Sequence, residues 1–240
     1  MSGFGGLYIS ISGIYANKKA LDTVSHNVAN VNNPNYVRQS VIHAESSYHK
    51  TVDVRFQKGI GVDVQQIRQI RDEFLDVKLR REMATFGYYN AKAEILGEVE
   101  MIFDSNFQDI MDNFWKGWEE LSKADGADSL TIRALLHENA VAFVTTANHI
   151  SSVQLDSLQF SLNKKMLNRA EEVNNILKDI VGLNDKMKVI EGYGNHITAN
   201  DYKDERNALL DRLSQLIPIA YYENSYGEVV VSLHGRDLIN

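Results

Sequence analysis

The chain has 240 residues, 44% of them hydrophobic, enough for one large domain or two modest ones, and this is not the composition of a disordered tail. Lysine and arginine number 25 against 32 acidic residues, and a net charge of -7 excludes a broad electrostatic attraction to nucleic-acid phosphates or anionic lipid. Cysteine is absent, which removes disulfides, thiol nucleophiles and cysteine-ligated zinc without fixing the compartment.

The amino terminus, MSGFGGLYISISGIYANKKALD, has no basic residue ahead of its apolar stretch and no apolar run of membrane-spanning length. By pattern it is neither a cleavable signal nor a membrane anchor. From Phe4 to Val31 apolar residues recur with heptad-like spacing. Leu7, Ile14, Leu21 and Val28 form the central row, flanked by Phe4, Ile11, Val24 and Val31. Gly3, Gly5, Gly6 and Gly13 weaken the helix by about 1 kcal/mol each where they fall inside it, so it needs packing to stay formed. ANVNNPNYVRQ follows at 29–39. Asn30, Asn32 and Asn33 tolerate turn conformations and Pro34 stops the helix. Tyr36, Arg38 and Gln39 exceed what a turn requires; their large hydrogen-bonding side chains suit contact with a neighbouring chain as well as they suit an open surface.

Between Pro34 and Gln65 the period changes to two. Val52, Val54 and Phe56 alternate with polar residues, as do Ile60, Val62 and Val64; Val37 to Ala44 is a weaker strand candidate, and Lys58-Gly59 reads as a turn. A long helix is expected from near Gln66 to Asp104, its heptad positions starting at Ile67, Ile70 and Phe74 and broken only by Arg81 and Glu98. At 1.5 Å per residue it would span on the order of 60 Å, which predicts an elongated antiparallel helical bundle with coiled-coil-like long helices. Ser105 and Gln108 have capping-box spacing for a shorter helix carrying Phe114, Trp115 and Trp118, a cluster read as core. Asp125-Gly126 ends it.

After Asp128 a helical pattern runs from Ile132 to Met187, as one helix or two. Gly192 to Asn195 reads as a loop, and Asn200 or Asp201 as the cap of a helix holding Leu209, Leu210, Leu213 and Leu216. Beyond Pro218, IAYYE and EVVVSL flank a turn at Asn224 to Gly227, a β-hairpin within 219–239. The chain is therefore read as mainly α, with short β segments near 37–64. Its expected divisions are a first helix (1–33), an extended linker (34–65), a long-helix bundle (66–217) and the start of a β-containing part (218–240). Stopping at DLIN, inside a strand-like pattern, reads as an incomplete chain.

These elements carry no complete catalytic motif. His43 and His49 could share a strand face, but Glu45 and Ser46 between them complete no known ligand set, and no H-E-x-x-H, G-x-S-x-G or P-loop occurs. Asp72, Glu73, Asp76 and Glu82, beside Arg68, Arg71, Lys78, Arg80 and Arg81, read as a solvated helix face with Arg68/Asp72 and Asp76/Arg80 pairs. No cofactor and no catalytic or metal site is expected.

Asn27-Val28-Ala29-Asn30 followed by Asn35-Tyr36 resembles the Asn-x-Ala-Asn to Gly-Tyr start shared by the bacterial flagellar axial proteins of rod, hook and hook-associated type, with Asn35 in place of the glycine. Tyr36-Val37-Arg38-Gln39, the Gly59 to Val64 segment, Ile70 to Leu75, and Asp204-Glu205-Arg206-Asn207-Ala208-Leu209-Leu210-Asp211 narrow the resemblance to the FlgK family of flagellar hook-associated proteins. Glu205 and Asn207 depart from that family's Asp-Gln-Arg-Asp-x-Leu signature. The resemblance implies a structural subunit of the hook-filament junction that forms a ring, meets the hook protein and a second junction protein, and leaves the cell through the flagellar type III apparatus. It also implies inner-tube packing between subunits by the first helix. The expected assembly residues are Leu7, Ile14, Leu21 and Val28 on the seam and Asn27, Asn30, Pro34, Tyr36, Arg38 and Gln39 at its exit. A rod or hook subunit is the nearest alternative; a cell-wall or metal-dependent hydrolase and a cytosolic coiled-coil adaptor are more distant ones.

Overall fold

The computed structural model describes residues 3–46, 59, 61–103, 105–123, 128–192 and 199–239. Its elements are α1 (Gly3–Ala29), β1 (Gln39–Glu45), β2 (Val62–Gln69), α2 (Glu73–Ile102), α3 (Ser105–Leu121), α4 (Leu130–His149), a π-helical segment (Ile150–Leu155), α5 (Asp156–Gly192), α6 (Asn200–Leu216), β3 (Ala220–Glu223), β4 (Val229–Leu233) and β5 (Arg236–Ile239). The class is mainly α with two small antiparallel sheets, β1-β2 and β3-β4-β5. The chain divides into unit 1, residues 1–85 with 173–240, and unit 2, residues 86–172; α2 and α5 contribute to both.

In unit 1 the core is apolar and built by three elements: Ile176, Leu177 and Ile180 of α5, Leu210 and Leu213 of α6, and Val229 and Val231 of β4. Three consecutive valines, Val229 to Val231, are buried because β4 is the central strand, covered on both faces. The β3-β4 turn is set by Asn224, whose Oδ1 accepts from the amides of Tyr226 (2.9 Å) and Glu228 (3.0 Å), with Gly227 at φ 78°. His234 and Gly235, at φ 50° and 78°, make the two-residue turn into β5, the third strand that the sequence pattern left open.

α1 lies on the β1-β2 hairpin. The face it turns inward is small and polar, with Ala16 and Thr23 buried and Ser12 Oγ accepting from the Val62 amide (3.2 Å). Gly61, at φ 126°, is required there: a Cβ on it would stand 2.1 Å from Ser12 Oγ.

Unit 2 joins α3 to α4 through aromatic stacking. Phe143 of α4 lies 5.3 Å from Phe114 and 6.0 Å from Phe107, ring centroid to centroid. Lys165 of α5 bridges Glu94 (2.9 Å) and Glu98 (2.7 Å) of α2.

Several sequence expectations are corrected. The long helix begins at Glu73 rather than near Gln66; Asp72 Oδ1 accepts from the Phe74 (3.0 Å) and Leu75 (3.3 Å) amides, while Ile67 belongs to β2. The helical pattern after Asp128 is α4 and α5 joined through the π segment, and α4 starts on a Ser129 cap. Asn200 does not cap α6. Ala199 holds the N-cap position, and Asn200 Nδ2 donates to Ile67 O instead (3.0 Å). Trp115 and Trp118 are exposed, so of that cluster only Phe114 packs inward. Val52 to Phe56, Ile60, Lys58, Asp125-Gly126 and Tyr193 to Asn195 lie outside the described residues, as does the Ser105 side chain.

Candidate functional site

The turn after α1 is built from side-chain amides. Asn30 Nδ2 donates back to His26 O (3.0 Å), and Asn33 Oδ1 accepts from the Asn35 amide (3.1 Å) across the exposed Pro34. The chain then returns along the helix it has just left. Asn27 grips it: Nδ2 donates to Gln39 O (2.9 Å) and Oδ1 accepts from Gln39 N (2.9 Å), satisfying both backbone groups of the first residue of β1. The Tyr36 hydroxyl donates to the same Asn27 Oδ1 (2.8 Å), and the Tyr36 ring stands edge-on to His26 at 5.3 Å. Asn27, Tyr36 and Gln39 thus meet within unit 1. Arg38 is exposed, and its guanidinium has no partner among the described residues. Leu7, Ile14, Leu21 and Val28 point away from the hairpin and are between 57% and 67% exposed.

The returning chain docks on the start of α6. Gln69 Nε2 donates to Asn200 O (2.9 Å) and Asp204 Oδ1 (2.8 Å), and the Val37 amide donates to Asp204 Oδ2 (3.2 Å). Gln39 Nε2 reaches Asp201 Oδ1 at 3.5 Å. Burial pushes the Asp204 carboxyl up to about 6; the Val37 amide, the Arg71 charge and Gln69 pull the other way, and Asp201 adds to the rise.

The rest of the Asp204 to Asp211 segment is equally engaged. Arg80 of α2 donates through Nε to Asp211 (2.7 Å) and through a terminal nitrogen to Asn207 Oδ1 (3.1 Å), with the Tyr221 ring 4.5 Å from its guanidinium carbon. Arg206 donates to Asn184 Oδ1 (3.0 Å), Gly227 O (2.8 Å) and Glu223 (3.1 Å). Asn184 repeats the Asn27 device on Val229, donating to its carbonyl (3.0 Å) and accepting from its amide (3.2 Å). Arg80 and Arg206 are each 3% exposed. The expected Asp76/Arg80 surface pair is therefore wrong: Asp76 is taken by Arg71, and Arg80 is buried against α6.

A pH effect follows. Asp204 binds its proton more tightly folded than unfolded, so its contribution favours the fold below about pH 4 and is lost as pH rises through about 6. Lowering the pH from 7.5 to 5 is expected to stabilise the unaltered chain relative to Asp204→Asn, read as a rise in its thermal midpoint minus that of the variant. A gap independent of pH contradicts this assignment.

Among the described residues no cluster of three His, Asp or Glu side chains could hold a metal ion, and no helix is long and apolar enough to cross a membrane. The arrangement anchors one helix, α1, and presents that helix's apolar side outward.

Residues 96–240 match the family model described as the flagellar hook-associated protein FlgK helical domain, and residues 7–36 match that of the flagella basal body rod protein. The chain is 30% identical to flagellar hook-associated protein 1 of Bacillus subtilis, over 98% of this chain and 47% of that protein. It is 23% identical to the protein of that name from Escherichia coli and 24% to that from Salmonella typhimurium, in each case over 88% of this chain and 38% of the relative. The chain thus spans about half the length, or less, of these curated relatives.

Proposed function

The chain belongs to the FlgK family of flagellar hook-associated proteins, and on that premise we propose that it is a non-enzymatic structural subunit of the hook-filament junction. It polymerises in the axial structure outside the cell and couples hook to filament. Its mechanism is geometric: residues 1–33 supply a helix whose apolar seam packs with neighbouring subunits in an inner tube, and the segment from Asn27 to Gln39 fixes how that helix is held on its own hairpin.

The observation that carries this reading is the direction of α1. Small and polar residues, Ser12, Ala16, Thr23 and Asn27, hold it to its own unit, while the larger Leu7, Ile14, Leu21 and Val28 are left outside. Covering each of these side chains fully is worth about 1.5–3 kcal/mol, a drive that association can use. Arg38, exposed beside the exit, suits a polar contact with an adjacent subunit. Partners on this reading are copies of itself, the hook protein, a second junction protein and, in transit, the type III export apparatus.

The rod-protein match at 7–36 covers the shared start of axial proteins, and a rod or hook subunit is the second reading it favours. The match at 96–240 supports the junction instead. Deleting the gene tests the choice: hooks should remain, filaments should be missing, and flagellin should collect in the medium. Filaments of normal length would refute the junction role.

A further inference from the structure

The hydrogen bonds at the exit of α1 form a chain whose protons can be counted. Asn27 fixes the count. Its Nδ2 donates to Gln39 O (2.9 Å) and its Oδ1 accepts from Gln39 N (2.9 Å). Turning that amide over would set donor against donor and acceptor against acceptor, so the Asn27 atom that faces Tyr36 is an oxygen. Tyr36 Oη and Asn27 Oδ1 lie 2.8 Å apart; such a pair needs a proton between its oxygens, and only the phenol carries one. Tyr36 keeps that proton firmly: burial, with the Asp204 and Asp201 carboxylates adding to it, pushes the hydroxyl above the ordinary phenol range.

His26 Nδ1 lies 2.9 Å from the same Tyr36 oxygen. Because the phenol's single hydrogen is already placed on Asn27, this bond has one possible sense: the imidazole donates through Nδ1–H and the tyrosine oxygen accepts. A bare Nδ1 would oppose two lone pairs or draw the proton off Asn27. The residue is well held for this role. It sits in the last turn of α1, its carbonyl accepts from the Asn30 amide (3.1 Å) and Asn30 Nδ2 (3.0 Å), and its ring stands edge-on to Tyr36. His26 is exposed while Asn27, Tyr36 and Gln39 are half-buried, so the first donor of the chain stands on its solvent side.

We propose that His26 is a positioning residue of the α1 exit, held as the Nδ1–H form and donating to Tyr36, so that the tyrosine's one proton is committed to Asn27 and Asn27 to the first residue of β1. A second proton on His26, taken at Nε2, leaves every bond of this chain in place, whereas the Nε2–H tautomer breaks it. The inference concerns the chain by itself and does not depend on the axial-subunit reading; on that reading it adds His26 to the residues that hold α1 on its hairpin.

Nitrogen-15 NMR of the full chain, labelled in histidine, tests it. The chain has seven histidines, and the signal lost in His26→Gln identifies the one concerned. At about pH 9, where an ordinary imidazole is neutral, Nδ1 of His26 should resonate as a protonated nitrogen and Nε2 as a bare one. In Tyr36→Phe the two resonances should converge as the ring exchanges between tautomers. A bare or averaged Nδ1 in the unaltered protein, or no change in Tyr36→Phe, overturns the proposal. His26→Phe, which keeps a ring against Tyr36 without the donor, should speed hydrogen exchange of the Gln39 amide about threefold, the scale of one net hydrogen bond, and leave the β4 amides unchanged. Equal acceleration in β4, or none at Gln39, overturns the positioning role.

Discussion

Replacing Arg206 with alanine is expected to destabilise unit 1 by about 3–5 kcal/mol, through the loss of its hydrogen bonds to Asn184, Gly227 and Glu223 and the void left by its buried side chain. The guanidinium ties α6 to α5 through Asn184 and to the β3-β4 turn through Gly227 and Glu223. Its loss leaves the Gly227 carbonyl without this donor and opens a void beside Asn184, which itself holds the first residue of β4. Arg206 also bears a cost of its own. Its Nε is buried without a hydrogen-bond partner, and burial lowers the guanidinium's affinity for its proton. Arg206→Met, which keeps volume and removes the buried charge, should therefore lose distinctly less than Arg206→Ala. Calorimetry on the three proteins checks the ranking, and equal losses from Met and Ala would show that the hydrogen bonds alone set the cost.

Arg80→Ala is the second large effect, about 2–4 kcal/mol. It lies below the Arg206 range because losing Arg206 also takes a donor from the buried Asn184 side chain and from the Gly227 carbonyl, whereas the carboxylate partners of both arginines keep contact with water. The loss has three parts: the ion pair to Asp211, the hydrogen bond to Asn207, and the stacking on Tyr221. Asp211→Ala should cost less than Arg80→Ala, because Asn207 and Tyr221 still receive the guanidinium. The two substitutions together should cost less than the sum of their separate effects, read from denaturant unfolding of all four proteins. Strict additivity would mean that the pair is not coupled.

These arginines also show where sequence reading stopped. The run from Asp72 to Glu82 has the charge density of a solvated helix face, yet Arg80 finds its carboxylate 131 residues further along the chain. On α6, Asp204, Asn207 and Asp211 form an i, i+3, i+7 row that reads as the wet side of an amphipathic helix. Here that row faces the hairpin and α2 instead. Polar periodicity finds a face without saying what covers it.

The misplaced start of α2 has a local cause. β2 pairs Gln66 with Ile42 but Val64 with His43, so Gln65 is an extra residue at a bulge. The bulge sets Val64 and Ile67 three apart, a spacing shared with the helical repeat that begins just after. Elsewhere, period and punctuation were enough. The apolar row of α1, the helix stop ahead of Pro34 and the Asn224 to Gly227 turn rest on short-range rules; the first hairpin does not, since β1 is the weaker strand candidate and the period carries no sign of its pairing with β2. Tyr36, Arg38 and Gln39 stood out as larger and more polar than a turn requires. That Tyr36 and Gln39 bond to Asn27 of the same chain while Arg38 stays exposed is what the sequence could not show, since a neighbouring chain would satisfy the same atoms.

The central claim is that the seam of α1 is covered by other subunits, and site-specific thiol labelling tests it most directly. A single cysteine placed by Ile14→Cys or Leu21→Cys in this cysteine-free chain should react readily with a maleimide in the isolated protein and be protected in intact flagella that contain it. Equal reactivity in the two states would contradict the account.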